Sequence, residues 1–209
     1  NWIYGSVCAD ESYKGSTPTD QPPIVQLATW SLSSTGGTNT YMNYKWVILY
    51  TGIQRANEVL RSIPQATDLT ADETKTLIAE SRFLRAHYHM DAQKMWNFPP
   101  YVDESISLTN NNLNVPNIDG SGAYINIWPQ IEADLIAAKD NLPATQSQVG
   151  RVNKWAAQAY LAKAYMFQDK FALAKPLLED LIANGVTAKG EKYTLVNFES
   201  NFNAQTKNG

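Results

Sequence analysis

Residues 150–181 read GRVNKWAAQAYLAKAYMFQDKFALAKPLLEDL, and this segment carries the strongest structural pattern in the chain. Apolar residues recur at helical spacing on both sides of a polar turn, namely Leu161, Ala162 and Tyr165 before it and Phe171, Ala174, Leu178 and Leu181 after it. The pattern predicts two helices with small alanines where they cross, which is typical of a tetratricopeptide-type hairpin. One hairpin cannot bury its own apolar faces, so we expect other helices of the chain to pack against it.

Composition favours a globular protein and excludes some partners. The chain has 209 residues, 44% of them apolar, and a formal net charge of −3. No long basic run is present, so nucleic acid is not an expected partner. No apolar run approaches the ~20 residues that span a bilayer. Cys8 is the only cysteine, so an intramolecular disulfide is impossible and a buried or half-buried side chain is expected.

Apolar periodicity predicts three further helices before the hairpin. The first covers about residues 41–63, the second runs from a capping box at Thr70 to about Trp96, and the third has Pro129 in its first turn. The faces expected to point inward are Trp46, Leu49, Ile53, Ala56 and Leu60 in the first helix, Leu77, Leu84, Tyr88 and Met95 in the second (broadened by Phe83 and Met90), and Ile131, Leu135, Ala138 and Leu142 in the third. The prediction is an all-α fold of about five main helices, paired as hairpins and joined by long irregular loops.

We expect a single partial domain over residues 1–209, with a loop-rich segment at 1–40, the first helices at 41–142, and the repeat hairpin with its tail at 143–209. The segment 1–40 shows little helical period but contains interleaved aromatic residues, which predicts a long ordered loop or a few short turns rather than a flexible linker. Pro176 lies well inside the second hairpin helix and is expected to kink it. Neither end of the sequence has a structural ending, so a fragment or a processed chain is expected.

Few residues suggest catalysis or metal binding. His87 and His89 are two apart, so on a helix they point to different sides and cannot form a metal pair. No phosphate-binding loop or nucleophile elbow is present. We expect no catalytic residue, metal or cofactor.

The carboxylate pairs Asp10-Glu11 and Asp103-Glu104 leave two interpretations open. Paired carboxylates are the catalytic groups of glycosidases, whereas adjacent loop carboxylates are more simply solvated charges. Glu80, Arg82 and Arg85 are expected to serve as helix ion-pair or cap partners, with Arg85 buried against loop carbonyls.

Aromatic residues near the loops suggest ligand binding. Trp30, Tyr41, Trp96 and Tyr101 lie in or beside stretches rich in Asn, Thr and Ser. A flat ring suits the apolar face of a sugar, and amide groups suit its hydroxyl rim. The alternative is that these rings only hold the loops against the helices.

Four segments, in order, resemble motifs of the SusD/RagB family. Residues 80–91, ESRFLRAHYHMD, resemble its EARFLRAYYYFD helix, and residues 46–57 are similar to its Trp-x-x-x-Tyr-x-x-Ile-x-x-Ala-Asn helix. Residues 131–135 with Leu142-Pro143 match its third helix, and residues 150–165 match its Gly-Arg-Ala-x-Lys-x-Ala-Ala signature and repeat helix. The resemblance spans about residues 5–202.

The resemblance implies a lipoprotein on the extracellular face of the outer membrane of Bacteroidetes-type bacteria. It would bind a glycan, an oligosaccharide or polysaccharide, or in some members a peptide, and would cover a SusC-like TonB-dependent transporter. No catalysis and no cofactor are implied. Family members are much longer, so the lipid anchor would lie outside this chain.

The family draws part of its ligand surface from the loops before the Trp-x-x-x-Tyr helix. By resemblance, the candidate ligand-binding residues in this chain are Asp10, Tyr13, Lys14, Trp30, Asn39 and Tyr41. Two alternatives remain, namely a protein- or peptide-binding helical-repeat scaffold and a glycoside hydrolase on an all-helical scaffold.

Overall fold

The computed structural model describes residues 2–9, 11–15, 17, 19–31 and 38–203. Within these residues the α-helices are α1 (Pro22–Ala28), α2 (Thr40–Ser62), α3 (Ala71–Trp96), α4 (Trp128–Asn141), α5 (Lys154–Met166) and α6 (Phe171–Asn184). A π-helical turn covers Ile3–Val7, and 3-10 turns cover Ile63–Gln65 and Phe198–Asn201. The predicted all-α fold, with five main helices and long loops, is confirmed for the described part of the chain.

The chain divides into two compact units, residues 1–52 and residues 53–209. The first unit contains the π-helical turn, α1 and the first half of α2. The second contains the end of α2 and all later helices. The single-domain organisation expected from the sequence stays a prediction.

In the second unit, α3 packs on α4, α4 on α5, and α5 on α6. The predicted inward face of α4 is confirmed, because Ile131, Leu135, Ala138 and Leu142 are all buried. Small residues are buried in both hairpin helices, namely Ala157, Ala162 and Ala164 in α5 and Ala174 in α6. This arrangement confirms the helical hairpin predicted from residues 150–181 and places its neighbours on one side, toward α4.

The predicted inward face of α3 was wrong in part. Leu84 is 43% exposed, whereas the ridge that joins the core consists of Ala79, Phe83, Ala86 and Met90. The reason is that the neighbouring positions Arg85 and His89 are also buried, so polar contacts help to select the face that turns inward. Apolar periodicity alone did not reveal those contacts.

The N-terminal segment is more regular than expected. Pro22 and Pro23 occupy the first two positions of α1, where a missing backbone N–H costs nothing. The sequence-based prediction of an irregular loop is therefore wrong for residues 22–28. Cys8 is half-buried, as predicted, and its thiol donates to the carbonyl of Ile3 over 3.2 Å.

Asn153 caps α5 and ties together the segments around it. Its Oδ1 accepts from the Ala156 N–H over 3.0 Å, and its Nδ2 donates to the carbonyls of Ala144 and Val186, each over 2.9 Å. Pro176 lies inside α6, which continues through it to Asn184. The kink expected there stays a prediction.

Candidate functional site

Asn39 connects α1 to the start of α2. Its Oδ1 accepts from the N–H groups of Tyr41 (3.0 Å) and Met42 (3.3 Å), which is the geometry of a helix N-cap. Its Nδ2 donates to the Pro23 carbonyl and to Gln26 Oε1, each over 2.9 Å. The side chain is only 4% exposed. Asn39 therefore positions the segment, and its amide is fully used in doing so.

Tyr41 is bonded at the N-terminal end of α1. Its hydroxyl donates to Gln21 Oε1 over 2.6 Å, and its carbonyl accepts from the Tyr4 hydroxyl over 2.6 Å. Burial, with a smaller contribution from Tyr41, raises the pKa of Tyr4. The Tyr41 ring itself is half-buried. We call residues 19–31, with Asn39 and Tyr41, the α1 segment.

Trp30 follows the C-terminus of α1 in a left-handed conformation, with φ at 55°. The N–H of Trp30 donates to the Leu27 carbonyl and the N–H of Ser31 donates to the Gln26 carbonyl. These two bonds form a Schellman motif, whose left-handed position is usually filled by glycine. A side chain there costs roughly 1 kcal/mol. The indole nevertheless is 74% exposed, so packing does not explain why a large residue occupies this position.

Tyr13 and Lys14 differ in availability. Tyr13 is 73% exposed. The Lys14 ammonium group donates to the carbonyls of Thr17 (2.7 Å) and Asp20, so it closes its own loop. Asp10, the remaining predicted ligand residue, lies outside the described residues.

The structure thus brings some predicted residues together and leaves others apart. α1 has seven residues and is about 10 Å long at 1.5 Å per residue. Tyr41 is bonded at its beginning and Trp30 lies just after its end, with Asn39 bonded between them. Within the described part of the chain, Tyr13 has no hydrogen bond or ring contact with Tyr41 or Trp30. The sequence analysis missed Gln21, Gln26 and Tyr4, whose hydrogen bonds hold this arrangement; the proline pair that starts α1 was the available signal.

A buried polar cluster lies in the second unit, and we call it the Arg85 cluster; its members are Asn57, Arg85, His89, Tyr101, Glu104 and Asp134. Arg85 is 4% exposed. Its Nε and Nη2 donate to the two carboxylate oxygens of Asp134 over 2.7 and 2.8 Å. Its Nη1 donates to Asn57 Oδ1 over 3.0 Å and to Glu104. The predicted burial of Arg85 is confirmed, but the predicted loop-carbonyl partners are wrong, because carboxylates and an amide take that place.

The cluster is charged and satisfied at neutral pH. Burial opposes the charge of Arg85, but its bonds and attraction to Asp134 outweigh burial and raise its pKa above the ordinary value. Burial tends to raise the pKa of Glu104, yet backbone and Arg85 hydrogen bonds lower it overall. The Tyr101 hydroxyl donates to Asp134 over 2.8 Å, and burial raises the pKa of that hydroxyl. Arg85 therefore serves as a structural ion-pair centre.

His89 fastens the loop after α3. Its Nδ1 lies 3.0 Å from the Arg85 carbonyl, and its Nε2 accepts from the Val102 N–H over 3.0 Å. This pattern requires a neutral ring with the proton on Nδ1, and burial lowers the pKa of His89 to about 3. Asn57 Nδ2 donates to the Val102 carbonyl over 2.9 Å. His89 is thereby a positioning residue for the loop.

The loop carbonyls expected beside Arg85 bind Arg61 instead. Its Nη1 donates to the carbonyls of Glu104 (2.9 Å) and Ile106 (3.2 Å). Asp103 accepts from the Ser105 N–H and hydroxyl over 2.9 and 2.6 Å. The adjacent carboxylates 103 and 104 thus have separate structural partners, and this geometry gives no support to a paired catalytic role.

Glu80 pairs across the fold rather than along its helix. Arg151 Nε donates to Glu80 Oε1 over 2.8 Å, and its Nη2 donates to the other carboxylate oxygen. The expectation of a pair or cap within α3 is therefore wrong for Glu80. Within the described ranges, no three His, Cys, Asp or Glu side chains gather as a metal ion would require. Among the same residues, no helix is both long and apolar enough to cross a membrane.

Comparisons with known proteins identify relatives for most of the chain. A family model, SusD-like, described as starch-binding and associating with the outer membrane, matches residues 8–166. A SusD-like protein of Bacteroides ovatus is 27% identical over 164 residues, which are 78% of this chain and 27% of the relative.

Two solved structures resemble the fold. A laminarin-binding SusD-like protein has a TM-score of 0.74 and 26% identity, covering 90% of this chain and 39% of that chain. Surface glycan-binding protein A from Bacteroides uniformis has a TM-score of 0.73 and 22% identity, covering 92% and 41%; this second likeness concerns the fold alone. The chain thus spans well under half the length of these relatives.

Proposed function

The chain belongs to the SusD-like family, and from this premise we propose that it is a non-catalytic glycan-binding component of a TonB-dependent nutrient uptake system of the outer membrane. The observation that carries the proposal is Trp30, whose large ring is exposed at a strained position. Strain at such a position persists where the surrounding structure maintains it for function.

The α1 segment supplies groups that suit a saccharide. The exposed Trp30 ring offers a flat apolar face for the C–H surface of a sugar. Tyr41 offers a second ring at the other end of α1, and its hydroxyl can accept a bond from a sugar hydroxyl. Tyr13 is a further exposed ring that the proposal includes on the family resemblance. Asn39 and Lys14 act through positioning because their polar groups are already bonded. Asp10 stays in the proposal on the family resemblance.

The ligand class follows from the similar laminarin-binding protein, so an oligosaccharide or polysaccharide is the proposed ligand. The proposed protein partner is a SusC-like TonB-dependent transporter. The proposed location is the extracellular face of the outer membrane, where a lipid anchor on the full-length precursor would hold the protein. These assignments concern the whole protein, because this chain spans well under half the length of its relatives.

Calorimetric titration of the chain with laminarin-derived oligosaccharides tests the proposal. We expect saturable binding that Trp30→Ala weakens tenfold or more, as is usual for a central aromatic anchor. Phe171→Ala is the matched control, because it also removes a half-exposed aromatic ring but from the start of α6. Flat titrations against a broad glycan panel, or equal affinity of the Trp30→Ala variant, would contradict the proposed site.

One observation favours a protein-binding scaffold as the second candidate. α6 exposes Leu173, Leu178 and Ile182, and repeat helices normally bury such faces against a neighbour. The two functions separate experimentally. If the chain shows no glycan binding, and if the wild type and Trp30→Ala bind a SusC-like transporter with equal affinity, the chain is a scaffold.

A further inference from the structure

A cleft of about 740 Å³ opens between the first half of α3 and the end of α4. Its apolar lining includes Leu69, Ile78 and Ala137, and its charged lining consists of Lys75 and Arg82. No acidic side chain lines it among the described residues. The volume falls in the range of small-molecule sites, which are usually apolar with a few polar groups.

Lys75 and Arg82 have no polar partner among the residues that the structure describes. Arg82 Nε is shielded from water and has no hydrogen-bond acceptor. Neither Arg82 nor Lys75 has an ion pair or side-chain hydrogen bond with any residue that the structure describes. Arg85, three residues later on the same helix, has a complete set of acidic and amide partners. A half-buried guanidinium whose charge has no acceptor is costly, and an anion bound at its Nη groups would supply one.

We propose that this cleft binds a carboxylate carried on a small apolar surface. With Nε shielded, the two Nη groups remain to bind, and their fork matches the two oxygens of a carboxylate. Lys75 lies two turns earlier on the same face of α3 and adds a second positive charge. Ile78 lies between them, and with Leu69 and Ala137 it forms an apolar contact surface for the body of the ligand. The site is independent of the glycan proposal.

Two sources share this chemistry. A short fatty acid carries its carboxylate on an alkyl chain, and a uronic acid carries it on a sugar ring with a C–H face. The experiment therefore uses octanoate and glucuronate as probes. Their neutral counterparts, octanamide and glucose, retain the apolar surface without the charge.

Calorimetric or NMR titration of the whole chain at low salt tests the site. We expect at least one acid to bind tenfold or more tightly than its neutral counterpart. Arg82→Gln should lower the affinity for that acid about tenfold or more, because a charged hydrogen bond is lost. Lys75→Gln should lower the affinity by a smaller factor. Higher salt should also lower the affinity of the wild type. Arg55→Gln, at an exposed arginine of α2, should leave the affinity unchanged.

Each outcome of these titrations either supports the proposed cleft site or overturns it. Binding of octanoate or glucuronate with the expected losses supports the site and identifies its source. Flat titrations with both acids, or equal binding of acid and neutral counterpart, would overturn it. If Arg82→Gln fails to fold, the exposed Lys75→Gln variant still decides, since unchanged affinity there also overturns the proposal. Trp30→Ala should not affect acid binding, so this site and the proposed glycan site can fail separately.

Discussion

The Arg85 cluster and the α1 segment use polar and aromatic side chains in opposite ways. In the Arg85 cluster, Arg85, Asp134 and His89 are buried, and their polar atoms bond to other groups inside the protein. In the α1 segment, hydrogen bonds fix the backbone while Trp30 projects into solvent. In the first arrangement the polar groups are bonded within the protein, and in the second a large aromatic ring is left exposed.

From this difference we expect stability to depend on the Arg85 cluster and the proposed ligand binding to depend on the α1 segment. A buried charge that loses its partner is strongly destabilising, so the Arg85 cluster tolerates little change. An exposed ring contributes little to folding, so the α1 segment can vary its ring without unfolding the chain. Substitutions in the two regions should therefore separate the free energy of unfolding from ligand affinity.

The largest effect is expected in the Arg85 cluster. Arg85→Met should lower the free energy of unfolding by about 3–5 kcal/mol, because Asp134 is left buried without its bidentate partner. Urea unfolding followed by circular dichroism measures the change. Arg55→Met at an exposed position is the control and should stay within roughly 0.5 kcal/mol. A loss below about 1 kcal/mol for Arg85→Met would mean that the cluster does not carry the stability we assign to it.

The second effect is a pH dependence from His89. Burial lowers its folded-state pKa to about 3 from the usual 6.5, so the unfolded chain binds the proton first as the pH falls. The stability is complete above pH 6.5 and declines toward pH 3. Between pH 7 and pH 5 the loss should be about 2 kcal/mol by linkage.

Urea unfolding at a series of pH values tests this, with His89→Gln as the matched variant. The variant should be less stable at pH 7 but should lose most of the slope between pH 7 and pH 5. The contribution of Glu104 to stability is lost at more acidic pH than this window between pH 7 and pH 5, because its pKa is lowered. Arg85 and Tyr101 also face this region, but their pKa values are raised above ordinary values that already lie far above this window. An unchanged slope in His89→Gln would therefore show that His89 is not the source of the pH dependence.

Much of the scaffold could be predicted from the sequence because its motifs are joined in space. Ion pairs and hydrogen bonds connect the four recognised segments. Arg85 bonds to Asn57 and Asp134 in two other segments, and Arg151 in the fourth bonds to Glu80 in the segment of Arg85. Local apolar spacing placed the five main helices for a similar reason, since burial repeats with the helical period. The motifs that identify the family are thus structural in this chain.

The N-terminal binding residues and the cleft beside Arg82 were harder to predict. They depend on local backbone conformation and on which charged side chains find a partner in the fold. The left-handed conformation of Trp30 follows from the Schellman motif at the end of α1, a helix that begins at two prolines and that apolar spacing does not predict. The lysine at position 14 looked available, but its ammonium group is bonded within its own loop. The unpaired state of Arg82 depends on which residues α4 brings nearby, and no spacing in the sequence encodes that.

A third, smaller effect tests how Asn39 holds the α1 segment. Asn39→Ala should cost about 1–2 kcal/mol, because the cap of α2 and the bonds to Pro23 and Gln26 are lost together. Hydrogen exchange should show faster exchange of the α1 amides. Asn39→Asp is the informative control, since it keeps the capping oxygen but cannot donate to α1. Equal protection of α1 in the wild type and both variants would contradict the positioning role.

The smallest effect distinguishes the two interpretations of Trp30 most directly. Trp30→Gly should raise the free energy of unfolding by up to about 1 kcal/mol, because glycine adopts the left-handed position without the penalty of a side chain. The same change removes the proposed stacking ring, so affinity for a laminarin oligosaccharide should fall while stability rises. Trp30→Ala, which removes the ring but keeps the Cβ, should lose affinity without the gain in stability. A Trp30→Gly variant that is clearly less stable than the wild type would show that the ring holds the segment in place, and the aromatic surface would then be structural.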